Sequence, residues 1–226
     1  MRRGRERGGA RGGGAIGLEE AEALLKVVRT TPPDRPIDLI LHTPGGLVLA
    51  SAQIARALKL HPAPVCVLVP HWAMSGGTFL ALAADEVIMD RNAVLGPVDP
   101  QQLRFPNQVA LASVRRVIRE KSPDEIDDET WILADQAEKA IQQIEDQITA
   151  LQSDRLGPER ARQLARTLTE GRWTHDFPLT CEALQQLGLQ VSTELPEEVY
   201  ALLETLPSGT PSTPPPSAGG SPRRAR

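Results

Sequence analysis

Apolar residues along the first hundred positions fall into two alternating kinds of run. Residues 65–69 (Val-Cys-Val-Leu-Val) form an unbroken, β-branched stretch, the pattern of a strand buried on both faces. Residues 37–41 and 86–89 give two further short strands. Between the first two, residues 47–60 place Leu47, Ala50, Ile54 and Leu58 at helical spacing. Residues 18–29 read as a helix that stops ahead of Pro32-Pro33. A small-residue run, Phe79-Leu80-Ala81-Leu82-Ala83-Ala84, follows Ser75-Gly76-Gly77 and reads as strand, tight turn, helix. The order strand–helix–strand–helix–strand implies right-handed crossovers and a parallel sheet. Two glycine turns, His42-Thr43-Pro44-Gly45-Gly46 and the one at Ser75, then fall at the carboxyl ends of adjacent strands. In open α/β sheets ligands bind at that edge.

Beyond Gly96-Pro97-Val98-Asp99-Pro100 the pattern turns helical. Helices are expected over 109–120, 128–152, 158–168 and 180–187, the last capped by Gly188. The longest carries an apolar stripe at Leu133, Ala137, Ile141, Ile144, Ile148 and Leu151. Residues 171–178 read as irregular or a short strand. The termini lack periodicity: 1–17 is Arg/Gly-rich and 206–226 Pro/Ser/Gly-rich, so both are expected to be disordered tails around one domain over 18–205.

Charge changes this picture little. Five Arg against one Glu lie in residues 1–14, and three more Arg follow Leu206, so the central domain is acidic while the whole chain is −4. Basic residues on tails rather than on a folded face argue against a nucleic-acid enzyme, and Trp72, Trp131 and Trp173 are too scattered for base stacking. No apolar run reaches the ~18 residues a membrane helix needs, and no secretory pattern opens the chain. A cytoplasmic protein is expected. Cys66 and Cys181 do not make a disulfide framework. His42, His61 and His71 have no partner at metal-ligand spacing, so neither metal nor other cofactor is expected.

Ser75 is the candidate nucleophile. A hydroxyl at a strand–helix turn sits where free N–H groups and the helix dipole favour developing negative charge, although such a Ser is often only an N-cap. The N–H groups of Gly46 and Gly76 would form a two-donor oxyanion hole if the two turns converge.

His42-Thr43-Pro44-Gly45-Gly46 resembles the Ser-Pro-Gly-Gly turn of the clan that holds Clp protease and signal peptide peptidase A. Met74-Ser75-Gly76-Gly77-Thr78, Ala83-Ala84-Asp85 and Gly96-Pro97-Val98-Asp99-Pro100-Gln101 resemble one branch, the serine dehydrogenase proteinase family. Leu133-Ala134-Asp135, Glu138-Lys139-Ala140 and Gly171-Arg172-Trp173-Thr174-His175-Asp176 are similar to it too. The resemblance spans about Leu18 to Leu202. It implies a ClpP/crotonase-like α/β fold, serine peptidase activity and Ser75 as nucleophile. Members usually carry an anchoring segment and an early strand before the position of Leu18, where this chain is Arg/Gly-rich. No G-x-G-x-x-G fingerprint supports a dehydrogenase.

The general base is open among three residues. The signal peptide peptidase branch uses a Ser–Lys dyad, which favours Lys139 and then Lys121, the two lysines after Ser75. Lys139 nonetheless lies off the apolar stripe, beside Asp135, Gln136 and Gln143. His175, with Asp176, fits a Ser–Asp–His order but reads first as a structural turn residue. The resulting expectation is a peptidase acting on peptide or protein substrates. Ser75 and Lys139 are catalytic, Gly46 and Gly76 hold the oxyanion, and a substrate strand adds beside the Gly45-Gly46 turn. Homo-oligomers are expected from the apolar surface of the first and longest helices. A non-catalytic scaffold of the same fold is the alternative. An acyl-CoA enzyme ranks below it, because Asp85 and Glu86 follow the serine helix rather than facing the turn.

Overall fold

The computed structural model describes residues 14–104 and 107–205, so residues 1–13 of the tail expected over 1–17, and the whole tail expected over 206–226, lie outside the described residues. In the first half the elements are α1 (Leu18–Thr30), β1 (Ile37–Ile40), α2 (Val48–Lys59), β2 (Val65–Val69), β3 (Trp72–Ala73), α3 (Gly76–Ala83), β4 (Glu86–Met89) and β5 (Val94–Leu95). There follow β6 (Gln101–Arg104), β7 (Asn107–Ala110), α4 (Leu111–Glu120), α5 (Asp128–Leu156), α6 (Pro158–Thr169), α7 (Cys181–Gln186), β8 (Val191–Ser192) and α8 (Glu197–Glu204).

The main sheet is parallel throughout, in the order β1-β2-β4-β8. Its register aligns Leu39, Val67, Val87 and Val191 in one row across the four strands. Four of the five β2 residues are buried, as an inner parallel strand requires. Asp85, at the end of the Ala-Ala-Asp motif, fixes the start of this strand: one carboxylate oxygen accepts the Val65 N–H at 2.9 Å and the other meets Arg155 at 2.9 Å. The motif is thus accounted for by sheet construction.

Helix α3 is buried along its whole length, because its Gly, Ala and Leu side chains let β-strand and helix backbones approach. It belongs to the same core cluster as Ile54 and Leu58 of α2, Met89 of β4, and Ile148 of α5. Each such large apolar side chain stabilises the fold by about 1.5–3 kcal/mol through burial. All six stripe residues of α5 are buried, from Leu133 to Leu151. The first three pack with Leu111, Ala112 and Val114 of α4 in a separate small cluster. Asp127 caps α5 by accepting the Thr130 N–H at 2.9 Å.

Three features differ from the sequence reading. Residues 101–110, expected partly as helix onset, form the antiparallel β6–β7 hairpin. The pair β3–β5, strand β8 and helix α8 were not foreseen. Residues 14–17, expected in the tail, belong to the folded body: Ile16 is buried and forms a parallel bridge with Gly46.

Both cysteines are free. Burial pushes the Cys66 thiol up to about 11, helped by the carboxylates of Glu86 and Asp38. Burial, with Glu182 adding to it, raises Cys181 as well. Among the described residues no helix is long and apolar enough to cross a membrane.

Helix α8 is tied down by the Tyr200 hydroxyl, which donates to Asp90, while Asp90 also accepts the Asn92 N–H at 2.7 Å. Tyr200 and then Asn92 hold the Asp90 carboxyl below its ordinary value, and the same bond raises Tyr200 to about 12. The depressed Asp90 contributes stability above its unfolded value that is lost as pH falls through the folded one. The raised Tyr200 contributes stability below its ordinary value of 10.0 that is lost as pH climbs toward about 12. Tyr200→Phe is expected to cost about 1 kcal/mol at neutral pH, solvent screening included. It should also flatten both the acid and the alkaline limb of stability against pH. Urea midpoints measured across pH check this; limbs as steep as wild type would contradict it.

Candidate active site

Two loops meet at Ser75. The Thr43 N–H donates to the Trp72 carbonyl at 3.2 Å, and the Met74 N–H donates to the Thr43 carbonyl at 2.9 Å. The Pro44-Gly45-Gly46 turn is therefore bonded along the segment that leads into the serine. The approach is close: a Cβ on Gly45 would stand 2.7 Å from the Ser75 Cβ and 2.9 Å from the Gly76 nitrogen. Gly45 also has φ +98°, a conformation that side chains rarely adopt. Gly45→Ala is accordingly expected to destabilise the fold by about 2–4 kcal/mol, from backbone strain plus overpacking. Thermal unfolding with a parallel activity assay measures it; an unchanged midpoint would refute this close approach.

Ser75 has φ 51° and ψ −112°, and it is the one non-glycine residue with positive φ among the described residues. Its hydroxyl does not cap α3, so the plain N-cap role does not apply. Thr78 pins the turn from behind. Its hydroxyl lies 3.0 Å from the Ala73 carbonyl and 2.9 Å from that of Gly96, and it accepts the Gly96 N–H at 2.9 Å.

The amide hydrogens divide cleanly. The Gly45 N–H is taken by the Thr43 hydroxyl at 3.2 Å. Ile16 occupies one edge of the turn, donating to the Gly45 carbonyl at 2.7 Å and accepting from the Leu47 N–H at 2.8 Å. In a strand successive residues direct their backbone groups to opposite edges, so the Gly46 N–H faces away from Ile16. Among the described residues neither the Gly46 N–H nor the Gly76 N–H has a protein acceptor. A Cβ on Gly76 would lie 3.3 Å from the Gly46 nitrogen, so the two amides are neighbours. The substrate strand expected beside this turn finds one edge already filled by the chain's own Ile16.

Ser75 opens onto a cavity of about 890 Å³, lined by Gly45, Gly46, Gly76, Phe79, Asp99 and His175 among others. Asp99 is 1 % exposed. One of its oxygens is 2.8 Å from His175 Nδ1, and the other accepts from Gln101 Nε2 at 2.6 Å. A carboxylate only accepts, so Nδ1 carries the hydrogen and Nε2 keeps its lone pair. The pairing follows from backbone register. Leu95 and Leu179 exchange two antiparallel hydrogen bonds at 3.0 and 2.9 Å. Four residues on from Leu95 and four back from Leu179 lie Asp99 and His175. Trp173 stacks on Phe177 at 5.4 Å and Arg172 lies over Trp173 at 5.3 Å, bracing the turn that holds the imidazole.

The sequence reading assigned Asp99 no role and paired His175 with Asp176. The structure pairs His175 with Asp99 instead, and Asp176 is exposed at the cavity rim. The one signal was a carboxylate in the apolar, proline-bounded run Pro97-Val98-Asp99-Pro100. The structure does not bring the lysines expected as base to Ser75 within the protomer. Lys139 is 68 % exposed on α5 and bonded to Asp135 at 2.5 Å, an ordinary i,i+4 surface pair. Lys121 is exposed at the end of α4. Neither lines the cavity. Elsewhere, the His42 ring stands 5.3 Å from His71 and 4.8 Å from Trp72, and burial followed by repulsion from His71 lowers its basicity. Among the described residues no three His, Cys, Asp or Glu side chains gather as a metal site.

A parallel sheet with a helical C-terminal part, and a serine on a strained turn between two loops of free amides, define a ClpP-like α/β protein. The chain belongs to the family of ClpP-like SDH-type serine proteinases, whose profile matches residues 14–218. It is 55 % identical over 189 residues to the uncharacterized protein MJ0137 of Methanocaldococcus jannaschii, covering 84 % of this chain and 65 % of that relative. The chain thus spans just under two thirds of that relative's length. Among solved structures it is similar to a point mutant of 1510-N, a membrane-bound stomatin-specific protease. There the TM-score is 0.56 at 18 % identity, over 83 % of this chain and 79 % of that one. ClpP1 from Listeria monocytogenes gives 0.50 at 18 % identity, over 80 % and 88 %. At these identities the two structures establish the fold alone.

Proposed function

We propose that this chain is a serine peptidase in which Ser75 is the nucleophile, His175 the general base and Asp99 the residue that orients it. The observation that carries this reading is the bonded Asp99–His175 pair in the cavity onto which the strained Ser75 opens. The Ser75 hydroxyl attacks a peptide carbonyl carbon while His175 Nε2 takes its proton. The resulting oxyanion accepts from the Gly46 and Gly76 N–H groups, each worth about 2.7–4 kcal/mol in a site of this kind. The C–N bond then breaks as His175 returns the proton to the leaving amine. Water, deprotonated by the same imidazole, hydrolyses the acyl-serine and regenerates the hydroxyl. Asp99 keeps Nδ1 protonated and stabilises the imidazolium formed on the way.

In this reading His175 takes the role expected of Lys139. The substrate backbone lies along the edge of the Gly45-Gly46 turn opposite Ile16. Homo-oligomerisation is part of the proposal. It is supported by exposed Leu18 and Val27 on α1, Trp131 and Ile132 on α5, and Leu47, Val48 and Leu49 where α2 begins. The test is labelling of the purified chain with a fluorophosphonate, followed by mass spectrometry. A single adduct on the Ser75 peptide, together with hydrolysis of casein or fluorogenic peptides, is expected. An unlabelled and inactive chain would leave the scaffold reading instead.

A further inference from the structure

We infer that the deep end of the Ser75 cavity selects a substrate residue with an uncharged carboxamide, Gln or Asn, immediately before the cleaved bond; this rests on the peptidase reading above. Among the described residues, two buried polar atoms on residues lining this cavity have no partner, Ser51 Oγ and Gln147 Oε1. Unpartnered buried polar atoms are few in folded proteins and call for a bonding group to meet them.

Their placement fits a side-chain pocket. Ser51 is 1 % exposed on α2, and its Oγ lies 2.4 Å from where a Cβ on Gly76 would stand. It is therefore adjacent to the residue that follows the nucleophile. Gln147 follows Ile144 by one turn on α5, and both line the cavity with Phe79. Farther along, Gln152 of α5 donates to the Leu82 carbonyl of α3. The two helices thus run in the same direction, and Gln147 falls beside the first turns of α3. Ser51 and Gln147 flank that turn from α2 and α5, with Val48, Phe79 and Ile144 as apolar walls.

The chemistry of the walls and floor narrows the occupant. Among the described residues no Lys or Arg lines the cavity, so an acidic side chain finds no countercharge among them and would be desolvated. Asp99 is already bonded to His175 and Gln101, and Asp176 is exposed, so a Lys or Arg side chain meets no carboxylate at the floor. A Leu or Phe side chain would leave both polar atoms unpaired. A carboxamide answers both: its NH2 donates to Gln147 Oε1, its carbonyl accepts from the Ser51 hydroxyl, and its methylenes lie on the apolar walls.

The experiment is a panel of internally quenched peptides, assayed with the full chain, differing only in the residue before the scissile bond: Gln, Asn, Leu, Phe, Ala, Glu or Lys. Gln or Asn is expected to exceed Leu by about tenfold or more in kcat/KM, as a site built to hydrogen-bond its substrate discriminates. The ratio should invert in the double variant Ser51→Ala/Gln147→Leu. Because the ratio is read within one protein sample, partial misfolding does not affect it. A wild-type preference for Leu, Phe, Ala or a charged residue, or a ratio unchanged in the variant, overturns the inference. Fluorophosphonate labelling run in parallel separates the two failures. A chain that labels on Ser75 but cleaves without carboxamide preference, or cleaves none of the panel, loses this inference alone. One that neither labels nor cleaves loses the peptidase reading with it.

Discussion

His175→Ala is expected to lower kcat/KM on a peptide substrate by about 10⁴-fold, whereas Lys139→Ala stays within about twofold of wild type. The imidazole performs every proton transfer in the proposed cycle, and among the described residues no other base lines the cavity at Ser75 except carboxylates already bonded or exposed. Asp99→Asn tests the same relay from the other side. An amide in place of the carboxylate can donate to Nδ1, which moves the imidazole hydrogen to Nε2 and removes the lone pair that should receive the serine proton. A loss of about 10³–10⁴-fold is expected with little change in KM, because Asp99 does not touch substrate. Lys139 forms a surface ion pair, worth about 0.3–0.5 kcal/mol. Circular dichroism confirms that the variants fold. If Lys139→Ala abolishes turnover while His175→Ala leaves it intact, the base is the lysine, supplied through an arrangement other than that of the protomer.

Ser75→Gly should abolish turnover and at the same time stabilise the protein. Serine at φ 51°, ψ −112° stores about 1–3 kcal/mol of backbone strain. Glycine adopts that conformation freely but loses about 0.4–1 kcal/mol through the greater entropy of its unfolded chain. The strain release wins by about 1 kcal/mol, which for a domain of this size raises Tm by about 2–4 °C. Ser75→Ala keeps the strain and gains none of this, while losing activity equally. A Ser75→Gly protein that melts below wild type, or still takes the fluorophosphonate, would contradict the assignment. A stabilised but inactive variant is the trade expected where a fold holds a reactive group in an unfavourable geometry.

The parts of this fold that were readable from the chain are those set by local pattern. The unbroken Val65 to Val69 run reads as an inner strand, and all six apolar positions of the α5 stripe are buried, joined by Glu145 and Gln152. The two glycine turns announced themselves because few sequences place Gly-Gly after consecutive strands. The elements that escaped owe their identity to pairing. Strands β3, β5 and β8 are two residues long and exist only through Val94, Trp72 and Val87 opposite them. Residues 109–110 read as helix onset, yet their backbone pairs with 101–102. The site divides the same way. That the Ser75 turn and the Gly45-Gly46 turn would meet was visible from the sequence. The Asp99–His175 pair, 76 residues apart in sequence, depends on the Leu95–Leu179 bridge, which no local signal encodes. Lys139 was favoured by resemblance, though its position off the apolar stripe already argued for solvent.

The two protonated thiols have a practical consequence. With Cys66 held at about 11 and Cys181 also raised, almost no thiolate exists near neutrality. Thiol-directed alkylating agents are therefore expected to react slowly at both cysteines. In a proteome screened with iodoacetamide-type reagents it is expected to label weakly, whereas, if Ser75 is the proposed nucleophile, a reagent that captures activated hydroxyls is the one to find it.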